Sequence, residues 1–130
     1  MTQYIGAMGI AVSDLEKSTD FYCRIIGMKV LTTFNVSYMN ENVLGFEGRG
    51  ASLLLMNYID GSNPNCKDNP IKIVIYVDDI TSLFDSARAE GYEVIREPEV
   101  LESIGGALMG MVKDPDGYVV EMIQKKPKSK

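Results

Sequence analysis

"IAVSDLEKSTDFYCRIIGMKVL", Ile10–Leu31, can be laid over "IYVDDITSLFDSARAEGYEVI", Ile75–Ile95. Ile10 falls on Ile75, Val12 on Val77, Asp14 on Asp79 and Leu15 on Ile80. After a one-residue gap, Gly27 falls on Gly91 and Val30 on Val94. The chain downstream repeats as well: "GASLLLMN" from Gly50 lies over "GYVVEMIQ" from Gly117. Self-similarity of this kind means two copies of one supersecondary unit.

The unit follows from local chemistry. Tyr4–Val12 is a β-type run. Ser13 and Glu16 have capping-box spacing, which predicts a helix start there. Leu15, Tyr22 and Ile26 recur at helical spacing, with Phe21 and Ile25 beside them, so one face is apolar. Gly27 is a C-cap residue. "MKVLTTF" then reads as a strand, and further strands are predicted near Asn42–Phe46 and Ala51–Asn57. The second copy gives Ile71–Val77, a helix from about Ile80 to Glu90, then Tyr92–Arg96, Ala107–Val112 and Tyr118–Gln124. The expected fold class is α+β. Two tandem β-α-β-β-β modules form cupped mixed β-sheets with helices on their outer faces. Module one covers about 1–58 and module two about 71–124 of a single domain. The turn-rich segment 59–70, "IDGSNPNCKDNP", is the linker, and residues 125–130 form a tail.

Composition limits the function classes. The chain has 130 residues, 45% of them hydrophobic and 24% charged, the balance of an ordinary globular domain. No apolar run is long enough to span a bilayer. "MTQYIGAMGIAV" has no basic region before its apolar stretch, so no signal peptide is expected. Two cysteines are too few for a disulfide scaffold, and a reduced, cytoplasmic setting is expected. The net charge of −5 argues against nucleic-acid or anionic-membrane binding. The basic tail "KKPKSK" is expected to be a frayed end. There is no histidine, which removes catalytic triads and most transition-metal sites.

Strand alternation sorts the side chains. Met8, Ile10 and Val12 are expected to face the first helix, and Ile71, Ile73, Ile75 and Val77 the second. Ala7 and Leu54 then share the opposite face of the first sheet; Lys72, Val74, Tyr76 and Glu121 lie on that of the second. If the two sheets curl toward each other, these second faces line a cup with Ala7, Leu54, Lys72 and Glu121 on its floor. Alternatively, they meet solvent. Met56, and Met109 with Met111, lie on such faces. Thioethers suit a flat apolar ligand, and they are also ordinary core fillers. Phe34, Tyr38, Phe46 and Tyr76 near strand ends are candidate walls. In "SIGGALMGM" the glycines match no phosphate-binding spacing, and a hairpin or bulge is expected. "DPDG" is turn chemistry, with Gly117 free to take positive φ. Cys66 beside Lys67 reads as a loop bystander rather than an activated thiol.

"VSDLEKSTDFY", "IIGMKVL", "VDDI…EGYEV" and above all "DPDGYVVEM" resemble the vicinal oxygen chelate superfamily. It includes glyoxalase I, bleomycin- and fosfomycin-resistance proteins and extradiol dioxygenases. The resemblance spans nearly the whole chain. It implies metal ligands at four repeat-related positions, which here are Ala7, Leu54, Lys72 and Glu121. Only Glu121 is a plausible ligand: alanine and leucine have no donor atoms, and an ammonium repels a cation. One carboxylate is too few for a divalent transition ion, so no metal and no other cofactor is expected. Glu121 and Lys72 are expected to pair, to orient a polar group of a ligand, or, for Glu121, to act as a general base. The leading functional expectation is a metal-independent binder of a small apolar or aromatic molecule. The alternative is a lactoylglutathione-lyase-like lyase or isomerase with an atypical site. The resemblance also implies a homodimer.

Overall fold

The computed structural model describes residues 2–127. Residues 128–130, half of the basic tail, lie outside the described residues. The chain divides into two compact units, Met1–Lys67 and Asp68–Lys130. Each carries one copy of the repeated unit.

In the first unit, β1 (Ala7–Ala11) leads to α1 (Leu15–Asp20), which continues as one π-helical turn (Phe21–Ile25). Then follow β2 (Lys29–Val36), β3 (Met39–Phe46) and β4 (Arg49–Tyr58). The second unit repeats this with β5 (Lys72–Tyr76), α2 (Ile80–Ala89), β6 (Val94–Leu101), β7 (Ala107–Lys113) and β8 (Val119–Gln124). The strand orders are β1-β4-β3-β2 and β5-β8-β7-β6. In each sheet the first strand pairs in parallel with the last, and the remaining pairings are antiparallel. The α+β architecture of two mixed four-stranded sheets is therefore present.

Both helices start on an aspartate. The Asp14 carboxylate accepts from the Lys17 backbone N–H at 3.0 Å, and the Asp79 carboxylate from Ser82 at 3.1 Å. The N-cap of α1 is thus Asp14, one residue beyond the Ser13 that capping-box spacing indicates. Either residue type satisfies the orphan donors of the first turn. At the far end Gly27 has φ +99°, and the Met28 N–H reaches back to the Tyr22 carbonyl at 2.9 Å. That bond spans one residue more than the six-to-one bond of a glycine-terminated helix, in keeping with the π-helical turn before it; the second unit makes the six-to-one bond itself, from the Tyr92 N–H to the Ala87 carbonyl at 3.0 Å past Gly91 at φ +85°.

The helices cover one face of each sheet. Tyr22, Phe21, Leu44, Leu55, Ile10 and Val12 are buried in the first unit, with Phe21 and Tyr22 packed edge-to-face at 5.0 Å. In the second, Ile75, Ile80, Phe84, Val112, Val120 and Met122 are buried. A Cβ built on Gly110 would stand 2.6 Å from the Phe84 ring, so glycine at this position lets α2 lie close to β7. The helix-covered faces start partway along the first strands. Met8 is 64% exposed and Ile71 40% exposed, whereas Ile10 and Ile75 are buried. Alternation assigns a side chain to a face but not the length of helix that covers it.

The repeat extends to side-chain bonds. The Asn57 amide donates to the Val12 carbonyl at 3.0 Å, and the Gln124 carbonyl accepts from the Ile80 N–H at 2.8 Å. Each ties the end of a last strand to the start of its helix. Among the described residues no helix is long and apolar enough to cross a membrane.

Candidate functional site

The register identifies the equivalent positions of the two sheets. Ala7 pairs with Ser52 and Gly9 with Leu54; Lys72 pairs with Val119 and Val74 with Glu121. Ala7 and Lys72 are thus repeat equivalents, and so are Leu54 and Glu121. All four lie on the faces turned away from the helices.

In the second unit the Lys72 ammonium and the Glu121 carboxylate stand 3.2 Å apart, reaching diagonally across the β5–β8 pair. Their exposure is unequal: the lysine side chain is 53% exposed and the glutamate 12%. Glu121 is held low among Val119, Met111 and Ile123, and Lys72 rises over it toward solvent. Burying a carboxylate on an apolar face is costly unless it is paired, and the ammonium provides the partner.

The rest of this face has two parts. Ala107, Met109 and Ile123 are buried in a cluster with Leu101 and Met111 packed against it. Val74 and Tyr76 on the edge strand β5 are open, 45% and 62% exposed. Met109 is therefore packed inside the cluster and Met111 is half-buried at its margin, while Tyr76 is presented outward. Lys125, just past β8, lays its ammonium 4.6 Å from the Tyr76 ring centroid.

On the corresponding face of the first unit, Leu54 and Met56 are half-buried and Phe34 is 52% exposed. Phe34 and Met56 stand opposite Glu41 from either side. Glu41 is a half-buried carboxylate on an apolar face that the sequence reading did not include. Its strand was expected to start at Asn42, whereas β3 starts at Met39; the polar run Asn40–Asn42 carries no strand alternation that would have extended it. Tyr38 lies in the turn between β2 and β3, 50% exposed, and Phe46 ends β3 at 37%. The three aromatics occupy different parts of the first unit rather than one wall.

The "DPDG" segment is a built turn. The buried Asp114 carboxylate accepts from the Asp116 and Tyr118 N–H groups, each at 2.9 Å. Gly117 has φ +91° and packs against Asp68, whose N–H bonds the Asp116 carbonyl at 2.8 Å. This segment anchors β8, the strand that carries Glu121.

The fit to a metal can be judged from the donors. Lys72 occupies one implied ligand position with its cation directed at Glu121, and Ala7 and Leu54 offer no donor atoms. Among the described residues no group of three or more His, Cys, Asp or Glu side chains is placed to hold a metal ion. These residues do not fit the metal that the fold implies.

Similarity to known proteins accords with the fold. The family model for the Glyoxalase/Bleomycin resistance protein/Dioxygenase superfamily matches residues 4–122. The chain is 36% identical over 122 residues to a probable lactoylglutathione lyase of Vibrio cholerae, covering 90% of this chain and 87% of that one. It is 35% identical over 120 residues to a probable lactoylglutathione lyase of Synechocystis, covering 88% and 90%. A trypanothione-dependent glyoxalase I of Leishmania major has the same fold, with a TM-score of 0.77 at 28% identity over 95% of this chain and 87% of that one. With its duplicated βαβββ units and this match across nearly all its length, the chain belongs to the Glyoxalase/Bleomycin resistance protein/Dioxygenase superfamily.

Proposed function

We propose that this chain binds a small, largely apolar molecule without using a metal ion, and that the Lys72–Glu121 pair is its polar contact. The observation that carries this is the ion pair itself, 3.2 Å long, at two positions where the family resemblance implies metal ligands. A cation delivered to Glu121 would have to displace a lysine already bonded to it, and would find no second or third carboxylate or imidazole. The open apolar surface beside the pair, Val74 and Tyr76, suits a flat guest.

The names of the relatives favour a second reading, a glyoxalase-type lyase or isomerase. In that reading Glu121 is the candidate general base, because it is the ionisable side chain held low on the face. A base there has to be released from Lys72 before it can take a proton.

Two measurements on chelator-treated protein separate the readings. The first is the fluorescence of the neutral dye N-phenyl-1-naphthylamine on titration. The second is turnover of methylglyoxal with glutathione, with and without added nickel or zinc. Saturable dye binding with no turnover in either condition is expected. Turnover that appears on adding metal would overturn the proposal.

A further inference from the structure

The ionic groups on the open face of the second sheet specify the guest further. Lys72, Arg96, Lys113 and Lys125 belong to this face by strand alternation. Three of these cations have carboxylate partners: Glu121 at 3.2 Å, Glu99 at 2.6 Å and Asp68 at 3.3 Å respectively. Lys125 has none among the described residues and lies over the Tyr76 ring instead. Glu93, whose carbonyl accepts from the Lys113 N–H at 2.9 Å, adds a fourth carboxylate to the face by the same alternation, so its charges balance; the cation left without an acidic partner is Lys125, at the Tyr76 end.

The Lys72–Glu121 pair is also presented asymmetrically. Glu121 is mostly covered, and Lys72 is half exposed. An ammonium has three donors, of which Glu121 takes one. A guest arriving from solvent meets the cation and its free donors. From Lys72 the edge strand runs outward through Val74 to Tyr76, about 13 Å along one face, and both side chains are open. Lys125 stands at that far end.

We propose that the guest is a flat, aromatic monoanion. Its acidic group sits on Lys72, and its ring lies over Val74 and Tyr76 within the field of Lys125. The inference rests on the binding function proposed above and adds the sign of the guest's charge. A ligand anion at Lys72 competes with Glu121 for the same ammonium. Weakening Glu121 should therefore improve binding, whereas a ligand bonded to Glu121 itself would be lost with it.

The test compares two dyes of similar ring system: 8-anilinonaphthalene-1-sulfonate, an anion, and N-phenyl-1-naphthylamine, which is neutral. The anion is expected to bind one per chain and at least tenfold tighter than the neutral dye, with the difference shrinking as salt is raised. Lys72→Met should reduce the anion to the affinity of the neutral dye. Glu121→Gln should raise anion affinity severalfold, read as the ratio of anion to neutral-dye affinity on the same variant. The Glu121→Gln arm keeps the test decisive if Lys72→Met folds poorly. Equal affinities for the two dyes, or anion binding unchanged or weakened in Glu121→Gln, would overturn the anionic guest while leaving an apolar binder. Failure of both dyes to bind would overturn the binding function itself.

Discussion

Lys72 and Glu121 meet two residues out of register: Lys72 pairs with Val119 and Glu121 with Val74, yet their charged ends stand 3.2 Å apart. A half-exposed pair of this kind contributes only about 0–1 kcal/mol. The consequence of breaking it depends on which partner goes. Lys72→Met leaves a mostly covered carboxylate without its cation and is expected to cost more than Glu121→Gln, by roughly 1–2 kcal/mol. The double replacement Lys72→Met/Glu121→Leu should recover most of that loss. Urea denaturation of the four proteins checks it; equal losses from both single variants would show that the covered carboxylate does not depend on Lys72.

Gly110 and Phe84 set the distance between β7 and α2. A Cβ at position 110 would come 2.6 Å from one Phe84 ring carbon, 2.9 Å from another and 3.1 Å from the Arg96 carbonyl. Phe84 is 1% exposed, so its ring cannot swing out to solvent without uncovering the core. Gly110→Ala should therefore destabilise by about 1–3 kcal/mol. Adding Phe84→Leu should restore part of the loss, so that the pair is less destabilised than the sum of the two changes. Simple additivity in denaturation would contradict close contact here.

Ser18 is fully buried in α1, and its hydroxyl has no hydrogen-bond partner among the described residues. An unsatisfied buried hydroxyl is costly, and alanine is the better helix former. Ser18→Ala should raise stability by about 1 kcal/mol, read as a higher urea midpoint at unchanged slope. A lower midpoint would mean that the hydroxyl has a partner in solution.

Gly117 holds φ +91° against Asp68. A side chain there meets both backbone strain and the Asp68 carboxyl group, which also accepts from Lys113 at 3.3 Å. Gly117→Ala should cost about 2–3 kcal/mol, combining a strained backbone with overpacking. Asp68→Gly in the same background should recover the steric part once the effect of Asp68→Gly alone is subtracted, because Asp68 itself holds φ +51°. No recovery would place the whole cost in the backbone.

Burial, reinforced by the charge of Asp20, raises the Cys23 thiol above its ordinary value of 9.0. The folded chain thus favours the neutral thiol. The corresponding stability is fully present below that value and is lost as pH rises through and above it. Cys23→Ser should flatten the alkaline limb of the stability curve above about pH 9. Mass spectrometry should show Cys23 unmodified by iodoacetamide at pH 7.5 in the native protein and modified in urea. Rapid native labelling would contradict the raised thiol.

The sequence carried the duplication because matching residues recur in matching order. Ile10 and Ile75, Asp14 and Asp79, and Gly27 and Gly91 each perform the same task in both units. Strand alternation then placed Lys72 and Glu121 on one face of one sheet. Other features were not available to those arguments. Glu41 stayed hidden because "MNE" has weak strand character, and β3 is extended through it by pairing on both sides. The π-helical turn at Phe21–Ile25 has no composition signal. Asp114 looked like part of a surface turn, yet its carboxylate is buried because two backbone N–H groups need it. Lys125 belonged to an expected tail, and it is the fold past β8 that brings it over Tyr76.

The proposal that Glu121 is paired with Lys72 instead of holding a metal ion is tested most directly by calorimetric titration of nickel into chelator-treated protein. The expected result is no saturable heat at one ion per chain. Stoichiometric binding that disappears in Glu121→Gln would contradict it.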